Sequence, residues 1–164
     1  MLTTIISGGQ TGADQGGLRA GYALGLRTGG WAPAGYPTLD GPAPWLASYG
    51  LIQTPLADYP TRTLWNVRDS DATVRFAVNF NSPGERCTLN AIKRLDRPHF
   101  AVVLVRNGRA CVVDALLTAV RAFQKFMETH SVRVLNVAGN SERTAPGIGE
   151  ATMDFLVRAS GSRS

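Results

Sequence analysis

The sequence is short of several residue types, and each shortage removes a class of function. Of 164 residues only two are lysine, two cysteine and two histidine. The cysteines, Cys87 and Cys111, stand in unrelated contexts and match no metal-binding spacing. They are expected to be reduced thiols of a cytoplasmic protein. His99 follows Pro98 at a strand edge and His130 falls near a helix end, with no partner at ligand spacing. No metal site is therefore expected. No apolar run approaches the length of a membrane span, and no basic segment leads into a long apolar one near residue 1. Neither a membrane nor secretion is expected. Long blocks of like charge are missing too: the net charge is +5, but the fifteen arginines are spread along the chain. Without a helix-turn-helix, zinc-finger or aromatic RNA-binding signature, charge alone does not make nucleic acid an expected partner. Scattered arginines fit a solvated face, or an anion pocket that draws on a few of them.

What is present is a globular balance, 44% hydrophobic and 18% charged, in a length that suits one domain spanning 1–164. Short apolar runs at 2–6, 73–78, 100–105 and 132–137 read as strands, with a weaker one at 26–31. Helical spacing appears at 14–24, stopped by Gly25, and at 61–68, 85–95, 114–129 and 148–158. Residues 106–109 suit a turn that pairs 110–113 with the preceding strand. The segment 32–60 is rich in Pro and Gly and reads as one long loop. Its aromatics, Tyr36, Trp45, Tyr49 and Tyr59, predict an ordered cover rather than a loose linker. Alternating strands and helices imply an α/β fold on a mostly parallel sheet, which binds ligands beyond the carboxyl ends of its strands. Three polar or Gly-rich loops fall at such ends: 7–12, 79–87 and 138–141.

The first of these, Ser7-Gly8-Gly9-Gln10-Thr11-Gly12, runs from a strand into a helix that carries Asp14. Glycines bring backbone N–H groups close to a ligand, and a helix start favours negative charge, so this loop is a candidate phosphate nest. It is not the dinucleotide fingerprint: Ser7 stands where the first glycine belongs, and no acid ends the second strand. Nor does a Walker lysine follow. A second candidate group is Asn66, Arg68 and Asp69, equally consistent with a capped turn and a local ion pair. A third is Ser82, Gly84, Arg86 and Thr88, at a helix start where Ser82, Pro83 and Glu85 also form a capping pattern.

Four blocks, SGGQTGAD, GGWAPAGYPTLDGP, TPLADYPTRTLWNVRDSDAT and VLNVAGNSERTAPGI, resemble in sequence and order the molybdenum cofactor carrier family. That family looks like a branch of the Rossmann-like proteins that include the lysine-decarboxylase-like phosphoribohydrolases. The resemblance implies a Rossmann-like three-layer fold and self-association. It also implies a ligand that is molybdenum cofactor (molybdopterin) or a related phosphorylated pterin or nucleotide. Between 79 and 90 the chain departs from the pattern, keeping only Gly84 and Thr88 of a Gly- and Thr-rich loop. Against the hydrolase loop P-G-G-x-G-T-x-x-E, Glu85 and Cys87 replace glycines and Ala91 stands in the place of the catalytic glutamate. The expectation is a non-catalytic carrier or sensor. The competing expectation is a nucleotide or nucleoside-phosphate hydrolase using Asp14, Asp69 or Asp71.

Overall fold

Strands that are apolar on both faces must lie inside a sheet covered on both sides. All six residues of one strand, Ala72–Ala77, are buried. The computed structural model describes residues 1–161. Its elements in chain order are β1 (Thr4–Ser7), α1 (Ala13–Ala23), β2 (Arg27–Ala32), β3 (Pro37–Thr38), β4 (Gly41–Pro42), a 3-10 turn (Pro44–Tyr49), β5 (Leu51–Gln53) and α2 (Tyr59–Arg68). They continue with β6 (Ala72–Ala77), α3 (Pro83–Leu95), β7 (His99–Asn107), β8 (Ala110–Val113), α4 (Leu116–Thr129), β9 (Val134–Gly139) and α5 (Ile148–Gly161). Seven strands form one sheet in the order β5-β2-β1-β9-β6-β7-β8. Every pairing in it is parallel except β7 with β8. Helices α1, α4 and α5 share the core on one face, and α2 packs with α3 on the other. This is the three-layer Rossmann-like α/β fold.

The strand order positions the site. From β1 the chain moves outward through β2 to β5, then crosses to β6 and moves outward the other way through β7 and β8. The last strand, β9, fills the gap: Ile6 pairs with Asn136 on one side, and Thr73 pairs with Asn136 on the other. The reversal of direction leaves the loops after β1, β9 and β6 facing one another at the carboxyl edge. Close packing of α1 on this centre needs glycine. A Cβ on Gly17 would lie 2.6 Å from the Cβ of Val137. A larger residue there would lift the helix that leads out of the 7–12 loop.

The segment 32–60 is more structured than a loop. Its parts form a small β3–β4 hairpin, the 3-10 turn and β5, which adds to the sheet edge beside β2. Leu46 and Leu51 are buried against Leu18 and Ala32, with Tyr36 and Tyr49 packed on them. β5 is only three residues long and flanked by Pro-rich sequence, so no alternating run exists to reveal it. The β9 register also differs from the apolar run: the strand begins at Val134 and includes Ala138 and Gly139. Among the described residues no helix is long and apolar enough to cross a membrane.

The main core centres on aromatic contacts made by α5. Phe155 meets Phe76 edge-on with ring centroids 5.4 Å apart, and Phe123 at 5.5 Å. Phe155 is 1% exposed. Phe155→Ala is expected to cost about 3–5 kcal/mol of unfolding free energy, measured by denaturant titration. A loss below about 1.5 kcal/mol would show that the ring is not central to the packing.

Candidate functional site

The 7–12 loop is held in place largely by its own side chains. Ser7 Oγ donates to the Asp14 carbonyl (3.0 Å) and accepts from Gly9 N (3.3 Å). Gln10 N donates to the Asp14 carboxylate (3.2 Å), and the Gly8 backbone N–H also reaches that carboxyl. Gln10 Oε1 accepts from Thr11 N and, across from the hairpin, from Leu39 N, each at 2.9 Å. The chain's own Asp14 carboxylate thus sits among the amides of this loop. Arg62, from the first turns of α2, lies 3.5 Å from that carboxylate and rests its guanidinium against Gly8. Burial raises the Asp14 pKa, opposed by the Arg62 charge and by the amides of Gln10 and Gly8.

Asn140, just past β9, joins the loops. Its Oδ1 accepts from Val78 N (2.9 Å) and Asn79 N (3.0 Å), and its Nδ2 donates to Asn79 O (3.0 Å) and Ser82 Oγ (3.4 Å). Its carbonyl accepts from Ala13 N (3.1 Å). One 2%-exposed side chain therefore fixes the loop after β6, and the same residue's backbone fixes the start of α1. Gly12 has φ +88°, and a Cβ there would lie 2.5 Å from Asn140 O, so this junction tolerates only glycine without movement.

The start of α3 is capped as its sequence suggests, but only by half. Ser82 Oγ accepts from Glu85 N at 3.3 Å. The Glu85 carboxylate does not return to the cap. It turns inward to Arg75 of β6, 2.8 Å away, with side-chain exposures of 8% for Arg75 and 1% for Glu85. The Arg75 guanidinium also lies over the Phe80 ring, 5.3 Å from its centroid. Burial pushes the Glu85 carboxyl up to about 7, with Arg75 opposing the rise and the charge of Asp14 adding to it. The two buried acids are therefore electrostatic neighbours, each facing its own arginine.

The structure brings together Ser7, Gly8, Gly9, Gln10, Thr11, Gly12, Asp14 and Ser82 round this edge. Gly84 and Arg86 are exposed on the first turn of α3, and a side chain at Gly84 would meet open space. Thr88 Oγ1 is spent on the Gly84 carbonyl at 3.1 Å. Asn66 is bound to the Trp31 backbone, accepting from its N–H at 2.8 Å and donating to its carbonyl at 2.9 Å. Arg68 and Asp69 are not part of the cluster. They end α2 at the turn into β6, where Arg68 donates to Asp69 at 2.6 Å and the Trp31 indole donates to it at 2.7 Å. The Arg68 hydrogen bond holds the Asp69 carboxyl below the usual range.

Arg62, Arg75, Glu85 and Asn140 are cluster residues absent from the candidates read out of the sequence. Arg75 left a signal as a charge inside the apolar run of β6, Asn140 stood in the polar loop 138–141 and Glu85 in the capping pattern of α3, while nothing local marked Arg62. Among the described residues no group of three or more His, Cys, Asp or Glu could hold a metal ion. A separate cleft of about 500 Å³ opens at the amino ends of the strands, lined mainly by Leu24, Leu26, Phe123 and Met127. Its wall is mixed, with Gln124, Glu128 and Ser131 beside the apolar side chains.

Two outcomes follow from this geometry. Asn140→Ala strands the N–H groups of Val78 and Asn79, which is expected to cost about 2–4 kcal/mol in denaturant titrations; a loss under about 0.5 kcal/mol would refute the joining role. For Glu85, the folded state holds its proton more tightly than the unfolded chain, whose carboxyl has the ordinary value of 4.5. Its contribution is thus fully present below about pH 4.5 and is lost as the pH rises to about 7. Stability of Glu85→Gln relative to the wild type should improve by up to about 3 kcal/mol between those limits. A pH-independent difference would show that Glu85 titrates normally.

The comparisons with known proteins agree with this architecture. A crystal structure of a "putative molybdenum carrier protein" from Syntrophus aciditrophicus superposes with a TM-score of 0.85 at 33% sequence identity, covering 94% of this chain and 92% of that one. No curated protein matches significantly. Residues 5–160 match the profile described as the circularly permutated YpsA SLOG family. With nearly the whole chain matched, and with the reversal of strand order that places β9 between β1 and β6, the protein belongs to the circularly permutated YpsA SLOG family.

Proposed function

We propose that the protein is a carrier or sensor that binds a small anionic molecule across the carboxyl ends of β1, β9 and β6. One observation carries this reading. Among the described residues, the buried side-chain polar atoms without a hydrogen-bond partner are Thr11 Oγ1, Arg62 Nε, Arg75 Nε, Glu85 Oε1 and Thr152 Oγ1. All but the last belong to the cluster at this edge. Buried polar atoms are nearly always paired, so a concentration of unpaired ones at a topological switch point favours a ligand there. Exposed Arg86 and Arg143 add positive charge to the rim, and Arg143 donates to the Leu39 carbonyl of the covering hairpin. A basic rim draws anions inward.

Molybdenum cofactor, or a related phosphorylated pterin or nucleotide, suits this edge: arginines and the α3 start for its phosphate, polar side chains for its ring edges. The relative from Syntrophus aciditrophicus is described as a molybdenum carrier, which supports the same cargo class. Self-association belongs to the proposal. Trp45, Ile52 and Leu56 of the covering segment are 50%, 60% and 55% exposed, an apolar surface that a second copy would cover.

The competing hydrolase reading draws on Asp14, Asp69 and Asp71. Asp69 is engaged with Arg68, and Asp71 Oδ2 accepts from Arg133 N and Val134 N at the start of β9. Ala91 is buried beside Val67 and Ile92, and so supplies no carboxylate. Mass spectrometry of the natively purified protein should identify a bound phosphorylated pterin or nucleotide, and Arg86→Glu should weaken its rebinding about tenfold. Purification free of any such molecule, with no rebinding, would overturn the carrier reading. Incubation with nucleoside monophosphates should release no free base; release at about 1 per second or faster would establish the hydrolase instead.

A further inference from the structure

We propose that Asp14 is a built-in occupant of the anion nest in the 7–12 loop, and that a ligand's anionic group binds there by taking its place. The proposal rests on the binding reading above. It begins from the donors of the loop. Gly9 N is taken by Ser7 Oγ, Thr11 N by Gln10 Oε1 and Gln10 N by the Asp14 carboxylate, which the Gly8 amide also favours. Arg62, the cation beside the loop, points its NH1 at the same carboxylate. An incoming anion therefore meets no open nest. It meets a carboxylate already held by the groups that would hold the anion.

The fit of that carboxylate is incomplete. Thr11 Oγ1, in a residue 6% exposed, and Arg62 Nε are buried without a partner. A carboxylate has only two oxygens for these donors, whereas a phosphate ester or sulfate group offers at least three. The larger oxyanion could keep the Gln10 and Gly8 amides and Arg62 NH1 while also meeting the Thr11 hydroxyl and Arg62 Nε. The exchange needs Asp14 to leave. Burial works against its charged form, so the ionised carboxylate gives up little by moving out to water. The charged groups facing Asp14 are Arg62 from α2, which favours the carboxylate, and Glu85 from α3, whose charge opposes it. Asp14 thus excludes stray anions when no ligand competes.

Sulfate is a suitable probe because its charge is constant between about pH 5 and pH 8. Calorimetric titration of the full chain at pH 8 gives the wild-type affinity against which the variants are read. Asp14→Asn, which removes the charge but keeps the shape, should bind sulfate at least about tenfold more tightly at pH 8. Asp14→Ala, which also clears the space, should do so at least as well, with circular dichroism to confirm its fold. Glu85→Gln, which removes the neighbouring charge but leaves the carboxylate in the loop, should gain less than Asp14→Asn. If Asp14→Asn binds sulfate no better than the wild type, or if Glu85→Gln gains as much, the exchange is overturned while the binding reading stands. If no form binds sulfate or the co-purifying molecule, both fail.

Discussion

The insertion of β9 between β1 and β6 is the constraint on which the rest of the structure depends. Parallel pairing on both sides brings Asn140 to a point where its carbonyl meets the start of α1 and its side chain meets the loop after β6. Without that strand the two helix starts would lie apart, and the loops at 7–12 and 78–82 would have no common anchor. Gly17 of α1 serves the same constraint, because it lets the helix settle directly on Val137 of β9.

Charge is buried where the loops converge, and this is the unusual energetic feature of the fold. Two carboxylates, Asp14 and Glu85, and two arginines, Arg62 and Arg75, lie largely out of water. Buried ion pairs gain little net stability over apolar packing, because desolvation offsets their attraction. An apolar core exists close by on the other face, built on Phe76, Phe123 and Phe155. In the binding reading proposed above, these pairs at the carboxyl edge hold one another until a ligand provides better partners.

Much of the fold could be read along the chain. The strands and helices recur with the alternation of a parallel α/β protein, and the Pro83 and Gly25 punctuation falls at real helix ends. Boundaries moved by a few residues, as at α2, where the helix starts at Tyr59 and takes Pro60 into its first turn. Proline is tolerated there because the first N–H groups have no helical partner. The carboxyl-edge loops were also legible, since Gly-rich turns after apolar runs have few other uses. Arg68 and Asp69 looked like site residues for the same local reasons, yet they cap and pair at the turn into β6, away from the converging loops.

Composition, periodicity and motif spacing by themselves determined the α/β class with its mostly parallel sheet, the glycine-rich turn after β1 and the absence of a dinucleotide or Walker signature. These follow from local rules: which residues alternate, which allow positive φ, and which donors a motif must contain. Tertiary structure alone decided which charges meet. Asp14 filling its own loop, Arg62 crossing from α2, and Glu85 abandoning its cap for Arg75 join residues 48 and 10 positions apart in two of these pairs. Such contacts depend on the order of strands in the sheet, and no local pattern encodes that order.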